Sequence, residues 1–237
     1  MSSPFHFKQF TVFQDRCAMK IGTDGVLLGA WVSLENKPKS ILDIGSGTGI
    51  IGLQLAQRSS AETIDAVEID DDAYEQCTEN FETSPWSDRL FCYHASIQEF
   101  ASEMEENYEL IVSNPPFFRE DYKTESNARD LARFEDALPF QHLLVCVAQL
   151  LSKKGIFAVV IPKKEVEGFV QLASETQLFP KRICEVKGTL SSEIKRVMLE
   201  FSFQKTEPKN ESLIIELSRH QYTPEYTHLV KDFYLKM

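Results

Sequence analysis

Residues 40–49, SILDIGSGTG, decide the fold of this 237-residue chain. An apolar run at 40–45 predicts a strand, and three glycines then alternate with Ser46 and Thr48 before a helical pattern at 48–58. Glycine lets a backbone turn sharply and approach a ligand without a Cβ in the way. The first turn of the following helix offers free N–H groups. The stretch therefore predicts a strand, a tight turn and a helix that face a ligand together.

The same alternation of short apolar runs and amphipathic stretches continues along the chain. Further strands are predicted at 63–69, 89–94, 108–113 and 156–161, and further helices at 71–82, 97–106, 138–152 and 165–177. This order is typical of βα units with a parallel sheet. The runs at 181–188 and 195–204 predict a closing antiparallel hairpin, and residues 211–237 predict one more strand and a short helix. We expect an α/β fold in one domain, with a doubly wound, mostly parallel sheet of seven strands and helices on both faces.

Composition and cysteine usage narrow the class of protein. Hydrophobic residues make up 43% and charged residues 26% of the chain. No apolar run approaches the roughly 20 residues that a membrane helix needs, and residues 1–10 lack the apolar core of a signal peptide. The five cysteines are scattered and form no C-x-x-C pair, and the histidines show no ligand spacing. We therefore expect a cytoplasmic, monomeric protein with reduced thiols, no membrane partner and no metal.

The charge is unevenly distributed between the two halves of the chain. The net charge of −11 argues against simple electrostatic binding of nucleic acid. Residues 1–110 carry 7 basic against 19 acidic side chains, a net −12, whereas residues 111–237 carry 18 against 17, a net +1. A polyanionic partner is therefore expected to contact the second half.

The second predicted strand ends in an acidic residue, Glu68, in the run AVEID. A carboxylate at that place can accept both hydroxyls of a ribose. The turn at 45–49 has the spacing G-x-G-x-G, whereas dinucleotide sites use G-x-G-x-x-G. Strand, glycine turn, helix, strand and terminal acid together predict a nucleotide-type ligand. A nucleotide-binding oxidoreductase is an alternative that this spacing disfavours.

The fourth strand runs into an unusual exit at 111–118, IVSNPPFF. Asn114 and Pro115 alone would supply a turn. The second proline, Pro116, fixes φ again and removes another backbone donor. A rigid backbone with exposed carbonyls, a side-chain amide and the flat ring of Phe117 predicts a holder for a planar polar group.

The arrangement at 40–162 resembles the class I S-adenosylmethionine-dependent methyltransferases, which have a Rossmann-like fold. The resemblance implies S-adenosyl-L-methionine as cofactor, with the glycine turn at its methionine part and Glu68 at its ribose. Ser96 and Ile97 would flank the adenine, although family members often have Asp where Ser96 stands. The implied cofactor-binding residues are Lys20, Thr23, Asp24, Asp43, Gly45, Gly47, Gly49, Glu68, Ser96, Ile97 and Asn114.

The run Asn-Pro-Pro-Phe resembles the N-P-P-aromatic motif of methyltransferases that modify a nitrogen conjugated to a π system. The Asn114 side-chain oxygen and the Pro115 carbonyl would each accept one amino hydrogen, which directs the nitrogen lone pair at the methyl donor. Such preorganisation needs no strong general base. An aromatic ring at Phe117 would stack on an extruded base, typically for ~1–3 kcal/mol. The implied catalytic residues are Asn114, Pro115, Pro116 and Phe117.

A closer resemblance covers nearly the whole chain. The matching residues resemble the bacterial methyltransferases that make N6-methyladenosine from adenine 37 of valine tRNA, beside the anticodon. They are 7–10, 15–31, 84–86, 196–197 and 233–235. This implies a valine tRNA partner. It also divides the chain into a cofactor-covering segment, residues 1–39, and a methyltransferase domain, residues 40–237.

Three other functions remain open on the sequence. A protein glutamine-N5 methyltransferase, or an amino methyltransferase acting on another nucleic acid, would use the same N-P-P-F motif. A cofactor-binding module without activity would be expected to have lost Asn114 or the glycine turn, and both are present.

The RNA contacts are predicted from basic residues near the catalytic strand. A long polar loop at 118–137 follows that strand, and loops at such positions commonly bind substrate. Four basic pairs, at 153–154, 163–164, 181–182 and 195–196, could extend this surface toward phosphates. The predicted RNA-binding residues of the loop are Arg119, Lys123, Arg129 and Arg133.

Overall fold

The computed structural model describes residues 3–116 and 139–237. The helices are α1 (Thr23–Trp31), α2 (Ile50–Arg58), α3 (Asp71–Glu82), α4 (Ile97–Glu103), α5 (Phe140–Leu150), α6 (Val166–Glu175) and α7 (Pro224–Val230). The strands are β1 (Phe5–His6), β2 (Thr11–Val12), β3 (Ser40–Ile44), β4 (Thr63–Glu68), β5 (Leu90–His94), β6 (Tyr108–Ser113), β7 (Leu151–Pro162), β8 (Phe179–Thr189), β9 (Ile194–Ser202), β10 (Lys209–Ser218) and β11 (Gln221–Tyr222).

The main sheet has the strand order β11-β10-β8-β9-β7-β6-β3-β4-β5. Strands β3 to β7 pair in parallel, and β9 runs antiparallel to both β7 and β8. The predicted parallel sheet with a closing antiparallel hairpin is therefore confirmed. The predicted number of seven strands is wrong for the described residues, because β10 and β11 extend the sheet beyond β8 to nine strands.

Alternate residues of each strand enter different cores, as the pleat of a strand requires. On β3, Ile41 belongs to one core while Leu42 and Ile44 belong to the other. The first core lies under α1, α2, α3 and α7, and the second lies under α4, α5 and α6. The sheet is therefore covered by helices on both faces, as the sequence pattern predicts.

The predicted boundaries agree best where the signals are local. Strand β6 and helix α3 have the predicted limits. Helix α5 ends at Leu150, two residues before the end of its predicted range, and residue 138 of that range lies outside the described residues. Strand β7 begins immediately, with Leu151 pairing with Tyr108 and Ile156 with Leu110, so a bulge lies between them. Residues 151–155 therefore belong to β7 and not to the helix, because pairing with β6 outweighs their helical pattern.

The N-terminal residues form a β1-β2 hairpin that the sequence pattern does not predict. Phe7 makes an antiparallel bridge to Tyr234, and the Lys8 N–H donates to the Phe233 carbonyl at 2.8 Å. The rings of Phe7 and Tyr234 stack with centroids 5.7 Å apart. The two ends of the described chain are therefore packed together. No helix in residues 3–116 or 139–237 has the length and apolar character needed to cross a membrane.

Candidate active site

The glycine turn between β3 and α2 borders open space at the carboxyl edge of the sheet. Gly45, Gly47 and Gly49 have φ angles of 70°, 54° and 76°, in the left-handed region that favours glycine. A Cβ at Gly45 or Gly47 would meet nothing within 4 Å, whereas one at Gly49 would lie 2.6 Å from the Phe81 ring. The first two glycines therefore leave room for a ligand, and the third allows close packing against α3.

Glu68 ends β4 beside this turn and is only 8% exposed. Its Oε2 accepts a hydrogen bond from the Gly47 N–H at 2.8 Å. Its Oε1 accepts from the N–H groups of Ile69 and Asp70 at 2.9 and 3.0 Å. A carboxylate offers about four acceptor positions, so capacity remains for a ligand donor. Glu68 thus holds the glycine turn as well as a candidate ribose position, a second role that sequence reasoning misses.

Asp43 lies directly beneath the turn and is fully buried. Its Oδ2 accepts from the Gly52 N–H at 3.1 Å, while its Oδ1 has no hydrogen-bond partner among the described residues. Burial raises the pKa of Asp43 to about 7, the Gly52 N–H opposes this, and the negative charge of Glu68 adds to it. An unpartnered buried carboxylate oxygen beside open space fits a ligand that brings a hydrogen-bond donor.

Ser96 and Ile97 have local structural roles. Ser96 is the N-cap of α4, where its hydroxyl accepts from the Glu99 N–H at 3.2 Å and donates to Glu99 Oε2 at 2.7 Å. This is a capping box. Ile97 is 5% exposed and belongs to the second core. The structure therefore explains both residues without a ligand, and their predicted contacts with adenine stay predictions.

Asn114 lies where β6 ends, next to the end of β3. The Ser113 hydroxyl donates to the Ile44 carbonyl at 2.9 Å and ties the two strand ends together. The Asn114 Nδ2 lies 3.8 Å from the position that a Cβ on Gly25 would take, so the first turn of α1 flanks this amide. Pro115 is buried and Pro116 is exposed. The described part of the N-P-P-F motif therefore shares one edge with the glycine turn.

The predicted residues of the following loop lie outside the described residues. They are Phe117, Arg119, Lys123, Arg129 and Arg133.

The N-terminal candidates differ in their surroundings. Lys20 and Thr23 are exposed near the start of α1. Asp24, in the first turn of α1, accepts a hydrogen bond from Arg196 Nε at 2.7 Å. The sequence predicts Asp24 as a cofactor contact and Arg196 as a member of a basic pair. It does not predict their ion pair, because 172 residues separate them.

The four basic pairs lie at opposite edges of the sheet. The pairs at 163–164 and 195–196 stand where β7 ends and β9 begins, at the same edge as Asn114, because β7 is parallel to β6. The pairs at 153–154 and 181–182 stand near the starts of β7 and β8, at the far edge. Arg182 is also held in ion pairs with Glu200 and Glu211. By position, the first two pairs can extend a binding surface from the site and the last two cannot. Lys163 and Arg196 are themselves paired, with Glu185 and Asp24.

Comparisons with known proteins agree with this geometry. Residues 21–166 match the family model described as the methyltransferase small domain. A Flavobacterium psychrophilum protein named tRNA1(Val) (adenine(37)-N6)-methyltransferase is 60% identical, over 98% of this chain and 100% of the relative. A Bacteroides fragilis protein of the same name is 46% identical over the full length of both chains. The chain belongs to this methyltransferase family.

Solved methyltransferases share the fold at low sequence identity. A structure described as a predicted O-methyltransferase from Agrobacterium tumefaciens has a TM-score of 0.68 at 17% identity, over 89% of this chain and 96% of that chain. The M. jannaschii TYW2 structure in complex with AdoMet has a TM-score of 0.54 at 13% identity, over 84% and 85%. This methyltransferase therefore has the class I, Rossmann-like fold. In the part of the chain that the structure describes, no three His, Cys, Asp or Glu side chains are grouped as metal ligands.

Proposed function

We propose that this methyltransferase transfers a methyl group from S-adenosyl-L-methionine to the N6 amino group of adenine 37 in valine tRNA. The observation that carries the proposal is the position of Asn114. It follows a strand end that Ser113 ties to β3, beside the open glycine turn. The names of the full-length relatives support the choice of acceptor over a protein glutamine.

The residues at the glycine turn fit the cofactor. Gly45 and Gly47 leave open space, Asp43 has an unpartnered buried oxygen, and Glu68 retains acceptor capacity for a ribose. Ile69, next to Glu68, is 58% exposed and offers an apolar surface to an adenine ring. When bound, S-adenosyl-L-methionine supplies an electrophilic methyl group on a sulfonium. Gly49, Ser96 and Ile97 would shape this site from behind, since each packs into the protein.

The acceptor side of the site orients the amino group. The Asn114 side-chain oxygen and the Pro115 carbonyl each accept one hydrogen of the adenine amino group, which leaves the nitrogen lone pair free to attack. On transfer, the nitrogen would bond to the methyl carbon as the carbon–sulfur bond breaks and leaves a neutral thioether, and one amino proton would pass to solvent. A fixed pair of acceptors stabilises the transition state without a strong base. Phe117 would stack on the extruded base.

Residues 1–39 would cover the bound cofactor, and residues 40–237 would form the methyltransferase domain. Cys17 is 8% exposed, and burial raises its pKa to about 12, with further contributions from the negative charges of Glu68 and Asp70. The preceding residue, Arg16, is bonded through its N–H to Gln76 on α3, the helix that follows Glu68 along the chain. Lys20, Thr23 and Asp24 follow Arg16 along the chain.

The tRNA would be bound by the edge of the sheet that carries Asn114. The loop at 118–137 and the basic pairs at 163–164 and 195–196 would contact phosphates on either side of the extruded base. We place this activity in the cytoplasm, where a tRNA substrate is available, and expect the enzyme to act as a monomer.

One incubation tests the proposed function. The protein is incubated with radiolabelled cofactor and total tRNA lacking the modification, and the labelled nucleoside and its tRNA are identified. We expect N6-methyladenosine at position 37 of valine tRNA. A parallel incubation with a protein extract tests glutamine as acceptor. Label in protein and none in tRNA would overturn the proposal.

A further inference from the structure

We propose that Asn80, on α3, is a positioning residue that holds the cofactor-covering segment and the glycine turn in one arrangement. Asn80 lies at the edge of the first core and is fully buried. The proposal rests on the cofactor site proposed above, and deepens it by naming the part of the fold that keeps the site closed.

The side-chain amide of Asn80 joins two separate parts of the site. Its Oδ1 accepts from the Phe13 N–H at 2.8 Å, and its Nδ2 donates to the Phe13 carbonyl at 2.9 Å. The amide therefore pairs with the backbone of Phe13 as a neighbouring strand would. Its Nδ2 also donates to the Thr48 carbonyl at 2.9 Å, inside the glycine turn. One buried side chain thus bonds to both the N-terminal segment and the turn.

A second amide on α3 attaches the same segment further along. The Gln76 Oε1 accepts from the Arg16 N–H at 3.1 Å, and Gln76 is also fully buried. Gln76 precedes Asn80 by one helical turn, so both amides lie on one face of α3. The Gln76 Nε2 donates to Glu79 Oε2, within α3, rather than to the glycine turn. Asn80 is therefore the residue that couples the segment to the turn.

The coupling has a thermodynamic consequence. Buried backbone groups that lose their partners are costly, so the bonds to Asn80 favour the closed position of Phe13 and the residues after it. Without Asn80 the segment populates detached positions as well, and only the closed fraction binds cofactor well. The apparent dissociation constant rises in inverse proportion to that fraction. Turnover at saturating cofactor changes little, because the bound state still contains every residue that touches the substrates.

The test compares Asn80→Leu with the full-length parent. The control is Gln149→Leu. Gln149 is exposed, unlike Asn80, but its amide also ties one element to another, donating to the Ala101 carbonyl at 2.6 Å on the opposite face of the sheet. For each protein we would measure the melting temperature, cofactor affinity by calorimetry, the KM for cofactor, kcat, and amide hydrogen exchange at 13–25. For Asn80→Leu we expect about a tenfold rise in the cofactor KM with kcat within about twofold of the parent, and faster exchange at 13–25. The control should have a lower melting temperature, with cofactor affinity, KM, kcat and exchange at 13–25 unchanged.

The outcomes separate this inference from the proposed function. If the parent binds no cofactor, the proposed function fails. If the parent binds it and Asn80→Leu loses melting temperature as the control does, with cofactor affinity and exchange unchanged, Asn80 is merely structural and the inference is overturned. Should Asn80→Leu fail to fold, Asn80→Asp and Gln76→Leu decide in its place. Asn80→Asp keeps the acceptor for the Phe13 N–H and loses the two bonds that Nδ2 donates, so it must raise the cofactor KM. Gln76→Leu frees the segment at Arg16 and keeps the bond to Thr48, so it must raise the KM less.

Discussion

Arg196 at the start of β9 and Asp24 in the first turn of α1 form an ion pair, with Nε and Oδ2 2.7 Å apart. Their side chains are 24% and 27% exposed, so water screens the pair only in part. The pair fixes the end of α1 that flanks Asn114. It connects β9, which is antiparallel to both β7 and β8, to the segment proposed to cover the cofactor.

The first prediction concerns the energy of this pair. In a double-mutant cycle with Asp24→Ala and Arg196→Ala, we expect a coupling of about 1 kcal/mol, above the value for a fully exposed pair. The free energy of unfolding of the four proteins, from urea titrations, measures it. Raising the salt concentration should reduce the coupling. Simple additivity of the two losses would show that the pair contributes nothing.

The second prediction concerns the double role of Glu68. Glu68→Ala removes the acceptor for three backbone N–H groups as well as the proposed ribose contact, so both melting temperature and cofactor affinity should fall. Glu68→Gln keeps one oxygen and should lose less melting temperature. The lost charge-assisted bonds should still cost about 1.5–3 kcal/mol of cofactor binding. Calorimetry that finds parental affinity in both variants would remove Glu68 from the site.

The third prediction concerns pH and Asp43, whose pKa in the folded protein is about 7. The folded state binds this proton more tightly than the unfolded chain, so the stability it contributes is present below about pH 4 and is lost as pH rises toward 7. Between pH 5 and pH 8 the loss should be about 2–3 kcal/mol. Asp43→Asn cannot titrate. Without cofactor, its free energy of unfolding relative to that of the parent should therefore increase between pH 5 and pH 8. If the difference between the two free energies of unfolding stays the same from pH 5 to pH 8, the pKa of Asp43 is not raised.

The fourth prediction concerns Asn114. Asn114→Ala removes an acceptor that matters most as the amino nitrogen attacks, so single-turnover methylation at saturating tRNA should slow by about 10²–10³-fold. Affinities for cofactor and tRNA should stay near the parental values, because the glycine turn and the basic pairs are intact. A folded Asn114→Ala protein that methylates at the parental rate would refute the mechanism.

The fifth prediction concerns the tRNA surface. Lys164 and Lys195 are both exposed at the edge that carries Asn114. Reversing both charges should weaken tRNA binding and lower the salt dependence of affinity by about one unit for each phosphate that is no longer neutralised. The control reverses Lys153 and Lys154, exposed near the opposite end of β7, and should bind as the parent does. If both double variants bind tRNA as the parent does, Lys164 and Lys195 are not contacts, and Arg129→Glu in the loop at 118–137 is the next test.

Sequence reasoning succeeds where the determining interactions are local. The run from Ser40 to Gly49 predicts β3, the turn and the start of α2, because strand pattern, glycine spacing and helix start lie within one short stretch. The capping box is local as well, but we predicted Ser96 only as a cofactor contact. The S-x-x-E spacing of Ser96 and Glu99 is the signal that would have indicated it.

What the sequence does not reveal depends on contacts between distant residues. Nothing in the helical pattern of α3 distinguishes Asn80 from an exposed amide, because its partners lie 67 and 32 residues away. The Asp24–Arg196 pair and the position of β10 and β11 beyond β8 depend in the same way on the complete sheet. Periodicity predicts which face of an element is buried and leaves open what a buried polar group meets there.

The bridge between Phe7 and Tyr234 has a consequence for the order of events during synthesis. Residues 5–12 are translated more than two hundred residues before their backbone partners at Phe233 and Tyr234. Contacts between such distant positions form late, because the intervening chain must be ordered first. The nascent protein can therefore build its glycine turn early, whereas the segment proposed to cover the cofactor waits for the final helix. We therefore expect the nascent chain to bind cofactor only once α7 and the residues after it have been synthesised.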